Sequence, residues 1–264
     1  MLTPPRFPVA AGVRFRAGVV NGVSGEWVEP ASAAPLTLIY LHGGGYYSCS
    51  PETHRPVTAG FAARGFHVFA PAYRLAPEHP FPAALEDALG VYRGLRADTP
   101  ARTIVISGES AGGGLTLALL ASLRDAGEQL PAAAALFSPW TDLAVTGDSA
   151  RANGRRCAML EASTLTIAAA WYLGGADPRN PLASPLYADP AGFPPLLIHV
   201  GENEVLLDDS RRFAARAASS GVDCHLKVWP AVPHAWQLFQ PLPEARKSLD
   251  EAAAFLRARG GARG

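Results

Sequence analysis

The sequence has no apolar run of about 18 residues, the length a membrane-spanning helix needs. Its first stretch, Met1-Leu2-Thr3-Pro4-Pro5-Arg6-Phe7-Pro8, holds no apolar core of a secretory leader. Cysteine is scarce: Cys49, Cys157 and Cys224 lie far apart, odd in number and without Cys-x-x-Cys spacing. That pattern argues against a disulfide framework or a zinc site. Net charge is missing too, since 23 Lys and Arg balance 23 Asp and Glu. There is then no electrostatic case for nucleic acid or an anionic membrane as partner. No internal repeat or low-complexity tract breaks the chain. The absences together lead us to expect a cytoplasmic protein with no metal, no organic cofactor, no nucleic acid and no membrane partner.

What is present is the material of a sizeable core. Hydrophobic residues make up 48% of 264 residues and charged residues 17%, a balance that folds. The length suits one α/β domain. The 24 prolines and 26 glycines are spread between elements, which implies many short turns. Residues 11–29 read as two weak strands around an Asn21-Gly22 turn. Leu36–Leu41 is a continuous apolar strand of the kind buried on both faces. Further strands are expected at Phe66–Ala70, Ile104–Ile106, Ala132–Phe137, Leu196–Val200 and His225–Trp229. Helices are expected at about Val57–Arg64, Pro82–Leu95, Glu161–Tyr172, Asp208–Ser219 and Pro243–Arg257, with another after Ser110. Asp208 or Asp209 suits the N-cap of the fourth of these, and Gly221 its end. The alternation implies a mostly parallel sheet covered on both faces. Residues 146–185 break the rhythm and read as an insertion, a cap over a site, within one domain spanning 1–264.

The chain is organised around Ile104-Val105-Ile106-Ser107-Gly108-Glu109-Ser110-Ala111-Gly112-Gly113-Gly114. Apolar residues run into Gly-x-Ser-x-Gly, and an Ala- and Leu-rich helix follows. This is the strand–turn–helix context of a nucleophile elbow. Larger side chains at Gly108, Gly112 and Gly113 would collide, because strand and helix pass close on either side of the turn. The pentapeptide alone also fits an idle glycine-rich turn. An esterolytic serine needs a base, an acid to orient it and donors for an oxyanion. These occur in the order serine, acid, histidine when each follows a strand of an α/β-hydrolase. Ser110 is followed by a carboxylate cluster, Glu202, Glu204, Asp208 and Asp209, and then by His234. Donors are available from the His42-Gly43-Gly44-Gly45 loop and the amide of Ala111.

With these residues in view, the chain resembles the hormone-sensitive-lipase group of α/β-hydrolases, the bacterial family IV carboxylesterases. The matching stretches are HGGGYY at 42–47, PAYRLAPEHPFPAALED at 71–87, GESAGGGL at 108–115, SPWTDL at 138–143, SPLYAD at 184–189, GENEVLLDD at 201–209 and PHAW at 233–236. The resemblance implies an α/β-hydrolase fold with a small helical cap, Ser110 as nucleophile and His234 as general base and acid. It implies the amides of Gly44, Gly45 and Ala111 as oxyanion donors, and His42 as a loop anchor. The family pattern for the acid is Gly-x-x-Asp-x-Leu-x-Asp. Here a glutamate, Glu204, holds that place, with Glu202 and the two aspartates as competitors and Asp208 read as a helix cap.

The expected activity is hydrolysis of short- to medium-chain acyl esters through an acyl-enzyme. A lactone, carbamate or amide hydrolase on the same triad, or a non-catalytic ligand receptor, is the alternative. Tyr46, Trp140 and Trp236 are candidates for the substrate pocket and equally for core. His54, His67, His79, His199 and His225 read as packed or surface histidines. Tyr73, Arg74 and Glu78 could look catalytic but read as structural, a charged pair bracing the loop beneath the oxyanion hole, and Glu109 reads as a hydrogen-bond acceptor behind the nucleophile. Cys49 and Cys224 read as inert thiols. About ten residues precede the first strand, which leads us to expect a reduced cap and an open site. The last strand and helix suggest a homodimer contact along a sheet edge.

Overall fold

In the computed structural model, residues 9–32 and 34–261 are described. The chain opens with a hairpin, β1 (Arg14–Val20) and β2 (Val23–Glu29). Asn21 and Gly22 at its tip both have positive φ, as a two-residue turn matched to strand twist requires. Then β3 (Leu36–Leu41), α1 (Arg55–Ala62), β4 (Phe66–Pro71) and α2 (Ala83–Asp98) follow. Next come β5 (Ile104–Glu109), α3 (Ala111–Asp125) and β6 (Ala134–Phe137). Between β6 and β7 (Leu196–Gly201) lie the short α4 (Ser149–Ala152) and α5 (Ala162–Leu173). The chain closes with α6 (Leu207–Ser219), β8 (Cys224–Trp229) and α7 (Pro243–Arg259).

These strands form one sheet in the order β1-β2-β4-β3-β5-β6-β7-β8. The first two pairings are antiparallel and all others parallel. Strand pleating sends alternate side chains to opposite faces. In β5, Ile104 and Ile106 join the larger core with Leu115, Leu119 and Phe213, whereas Val105 joins Phe61, Leu249 and Leu256 on the other face. Helices therefore cover both sides, and the central strands can be apolar throughout. The carboxyl ends of β3, β5, β6, β7 and β8 open on one edge of the sheet, the edge where loops of such folds collect functional groups. Among the described residues no helix is long and apolar enough to cross a membrane.

The segment between β6 and β7 is pinned at both ends. Asp142 accepts hydrogen bonds from the Thr146 amide (2.9 Å), Arg212 (3.1 Å) and the Tyr187 hydroxyl (3.0 Å). Asp142 thus ties the entry of the insertion to its exit and to α6. Asp208 and Asp209 lie inside the first turn of α6, and neither caps it; Leu206 holds the N-cap position. Tertiary partners take both carboxylates: Asp208 accepts from the Ser149 amide (2.8 Å), and Asp209 from the amides of Thr141 (2.7 Å) and Asp142 (2.8 Å). Burial pushes the Asp209 carboxyl up to about 7.

Candidate active site

The turn between β5 and α3 forces Ser110 to φ 55° and ψ −122°, a conformation an L-residue holds only when its surroundings impose it. The surroundings are tight. The Ser110 amide donates to Phe137 O (2.9 Å), and the Trp140 amide donates to Ser110 O (2.9 Å). A Cβ at Gly113 would sit 2.8 Å from the Pro139 side chain, and one at Gly108 or Gly112 would strike backbone. The glycines are thus required by close approach, and the serine is turned into a cavity. Ala111 stands at the first position of α3, where a helix leaves its N–H without an intrahelical acceptor.

The loop after β7 carries Glu204 and the loop after β8 carries His234. Glu204 Oε2 lies 2.5 Å from His234 Nδ1. Its other oxygen, Oε1, accepts from the Ser138 hydroxyl (2.6 Å) and from the Gly201 amide (2.6 Å). Both residues are buried. A buried carboxylate so supplied with donors has its orientation fixed. Burial disfavours the His234 cation, but the Glu204 charge and hydrogen bond, with the Glu109 charge, outweigh it and hold this imidazole above its ordinary value. The competitors are elsewhere: Glu202 is exposed and meets the Ala231 amide at 3.3 Å, while Asp208 and Asp209 serve the insertion.

Ser110 and His234 line one cavity of about 230 Å³. Gly44 and Gly45 border it from the loop after β3, with φ 106° and 63°. Apolar walls come from Trp140, Leu160, Leu165, Ala168 and Leu238. Leu165 and Ala168 belong to α5, in the segment between β6 and β7, and line the cavity with Ser110. Of the three aromatic pocket candidates, only Trp140 lines this space. Tyr46 is buried in the core, its ring stacked 3.7 Å from that of Tyr172, and Trp236 packs with Trp229, Val232 and Ala245 in a separate cluster. Both are large rings filling interior volume, a use that the sequence pattern alone does not separate from a pocket wall.

The glycine loop after β3 has its own supports. His42 is buried, stacks on Tyr73 with ring centroids 4.3 Å apart, and places Nδ1 2.7 Å from Gly43 O. The Tyr73 hydroxyl donates to His42 O (2.6 Å). Burial, helped by the nearby His54, lowers His42 to about 4, so it is a neutral strut. Arg74 does not pair with Glu78. It binds Asp87 (2.9 Å) and Glu86 (3.0 Å) on α2, 13 and 12 residues further on. His54 is more than a packed histidine. It lines the cavity and lies 3.3 Å from Glu109, the residue preceding Ser110. The signal that marks it, two buried polar groups from distant segments, exists only once the chain is folded. Cys49 also borders the cavity, and burial raises its thiol above the usual range, which suits an unreactive group.

A family described as having the alpha/beta hydrolase fold matches residues 38–238. An acetyl-hydrolase of Streptomyces hygroscopicus is 46% identical over 90% of this chain and 81% of its own length. An esterase of Acinetobacter venetianus is 36% identical over 94% of this chain and 84% of its own. Among solved structures, an esterase from the bacterial hormone-sensitive lipase family superposes with a TM-score of 0.94 at 44% identity, over 97% of this chain and 87% of that one. Fold, motifs and relatives agree, and the chain belongs to the α/β-hydrolase family, in the group of bacterial hormone-sensitive-lipase-like esterases.

Proposed function

We propose that the protein is a serine carboxylesterase in which Ser110 is the nucleophile, His234 the general base and acid, and Glu204 the carboxylate that orients the imidazole. The observation that carries this reading is the 2.5 Å Glu204–His234 contact opening on the same cavity as a serine held at φ 55°. His234 takes the Ser110 proton as the oxygen attacks the ester carbonyl. The imidazolium formed is stabilised by Glu204, whose second oxygen is already committed to Ser138 and Gly201. The carbonyl oxygen gains negative charge and is received by the amides of Gly44, Gly45 and Ala111, each such donor being worth about 10²–10³ in kcat. Collapse expels the alcohol with the proton from His234. Water then enters, gives a proton to His234, and the acid leaves as Ser110 is restored.

The substrate class follows from the cavity. A space of about 230 Å³ with apolar walls fits short- to medium-chain acyl esters of small alcohols. The names of the relatives, acetyl-hydrolase and esterase, support that choice. A series of p-nitrophenyl esters from acetate to laurate tests it. Turnover should be highest among the shorter chains and vanish in Ser110→Ala. Rising turnover toward laurate contradicts the substrate class, and an active Ser110→Ala contradicts the mechanism. A homodimer joined along β8, which lies at the sheet edge, belongs to the same proposal, and sedimentation velocity decides it.

A further inference from the structure

We propose that His54 and Glu109 form a positioning pair, joined by one shared proton, that holds the Gly43–Gly45 loop at its working distance from Ser110. The inference rests on the esterase reading above and extends it to the residues that set the oxyanion site.

Glu109 is a carboxylate in almost complete burial, directly before the nucleophile and lining its cavity. A Cβ at Gly43 would lie 2.5 Å from the Glu109 carboxyl carbon, so the carboxylate rests against the loop's first glycine. This contact explains why the loop begins with a residue lacking a side chain. Glu109 Oε2 makes no hydrogen bond of good geometry, and neither does His54 Nε2, yet the two face each other at 3.3 Å. A buried carboxylate left so is costly unless a cation or shared proton meets it.

The hydrogen-bond inventory around His54 says where that proton comes from. His54 Nδ1 faces Ser50 O at 3.3 Å and Thr53 Oγ1 at 2.9 Å. The Thr53 hydroxyl spends its own hydrogen on Ser50 O at 2.8 Å and accepts the Ser50 amide at 3.0 Å. With that hydrogen on Ser50 O, Nδ1 meets only acceptors and carries a hydrogen, and a second proton then lies between Nε2 and Glu109. With the hydroxyl turned to Nδ1 instead, the ring hydrogen sits on Nε2 and is itself the proton shared with Glu109. His54 sits on the 3-10 turn after the oxyanion loop, and Glu109 on β5 before Ser110. Their proton thus ties the far end of the loop to the nucleophile's strand. The pair also touches the base electrostatically, because Glu109 is one of the anions that raise His234. The ionisable groups around Glu109 are His42, His54, His234, Tyr40, Tyr73 and Cys49; those around His234 are Glu204, Glu109, His54, Cys49 and Arg156.

The test uses the full chain with p-nitrophenyl acetate and a trifluoromethyl ketone, which mimics the oxyanion adduct on serine. Glu109→Gln keeps the shape and removes the charge. It should lower kcat by about tenfold with KM within about twofold, and weaken the ketone by the same factor, as loss of an interaction made only in the transition state does. The acidic limb of kcat/KM should move to lower pH, since His234 loses one anion. His54→Gln should do the same to kcat, and the double variant should be no slower than either single one, as residues acting through one contact are not additive. Glu109→Asp should recover part of the loss. A downfield N–H proton resonance from His54 should be present in the wild type and absent in Glu109→Gln. The proposal is overturned if Glu109→Gln changes only the thermal midpoint, or leaves kcat, ketone affinity and the acidic limb as they were. It is equally overturned if the two single losses multiply in the double variant. Should Glu109→Gln not fold, His54→Gln carries the same readouts. If Ser110→Ala stays active, the esterase reading fails; unchanged Glu109→Gln beside an inactive Ser110→Ala removes the pair alone.

Discussion

Two buried carboxylates stand near His234, and they are wired in opposite ways. Glu204 has donors on both oxygens: Ser138 and Gly201 on one, His234 on the other. Glu109 has one imidazole, His54, at 3.3 Å and otherwise rests against Gly43. The first arrangement fixes a direction, because three hydrogen bonds allow the carboxylate only one pose. The second, in the reading proposed above, fixes a distance, because an imidazole and a carboxylate that share a proton and pack on a glycine keep two segments apart by a set amount. In the proposed mechanism one carboxylate aims the base and the other spaces the loop. Burial alone does not tell such groups apart; their donors do.

The comparison is broken most severely by Glu204→Gln. Losing the acceptor that holds the imidazole tautomer should cost about 10³–10⁴ in kcat, while Glu202→Gln stays within about twofold. Steady-state rates with p-nitrophenyl butyrate measure both. Next is Ser138→Ala, which leaves Glu204 Oε1 with the Gly201 amide alone. A loss of about tenfold in kcat, worth ~1.4 kcal/mol, is expected with KM little changed. A pH–rate profile sharpens the comparison further. His234 must be neutral to act as base, so kcat/KM rises with pH through its raised value. Glu204→Gln should move that acidic limb to lower pH, and Glu109→Gln should move it less far in the same direction.

The smallest effect is expected from Asp209, another buried carboxylate, which accepts from two amides while the nearby Arg212 bonds Asp142. Its folded value of about 7 lies above the unfolded value of 3.8. A raised carboxyl contributes stability below 3.8 and loses it as pH rises through 7. Asp209→Asn removes that titration. Its thermal midpoint relative to wild type should therefore rise between pH 5 and pH 8, by on the order of a few degrees. Thermal melts at the two pH values check the sign.

The parts of this molecule legible in the sequence are those whose chemistry is local. The strand running into Gly108-Glu109-Ser110-Ala111-Gly112 demands a sharp turn from its own residues. The apolar strand Leu36–Leu41 needs nothing but its run, and it forms over those same residues. Partner choice is where sequence reasoning failed. Asp208 has the right residue type for a helix cap, but the Ser149 amide, 59 residues away, took it. Arg74 stands four residues from Glu78, yet Asp87 and Glu86 meet it from α2. Tyr46 and Trp236 suit pocket and core equally by residue type, and the fold uses both as core. His54 shows the reverse failure, since its partner Glu109 lies 55 residues on and only the sheet brings them together. In each case a long-range contact outweighed the local preference.

The central claim is that Ser110 becomes covalently modified because His234, aimed by Glu204, removes its proton. Intact-mass measurement of labelling by a p-nitrophenyl phosphonate tests it most directly, followed in time for wild type and Glu204→Gln. One adduct per chain, mapped to Ser110 and formed about 10³-fold more slowly in Glu204→Gln, is the predicted result. An adduct on any other residue, or equal labelling rates in the two proteins, would contradict it.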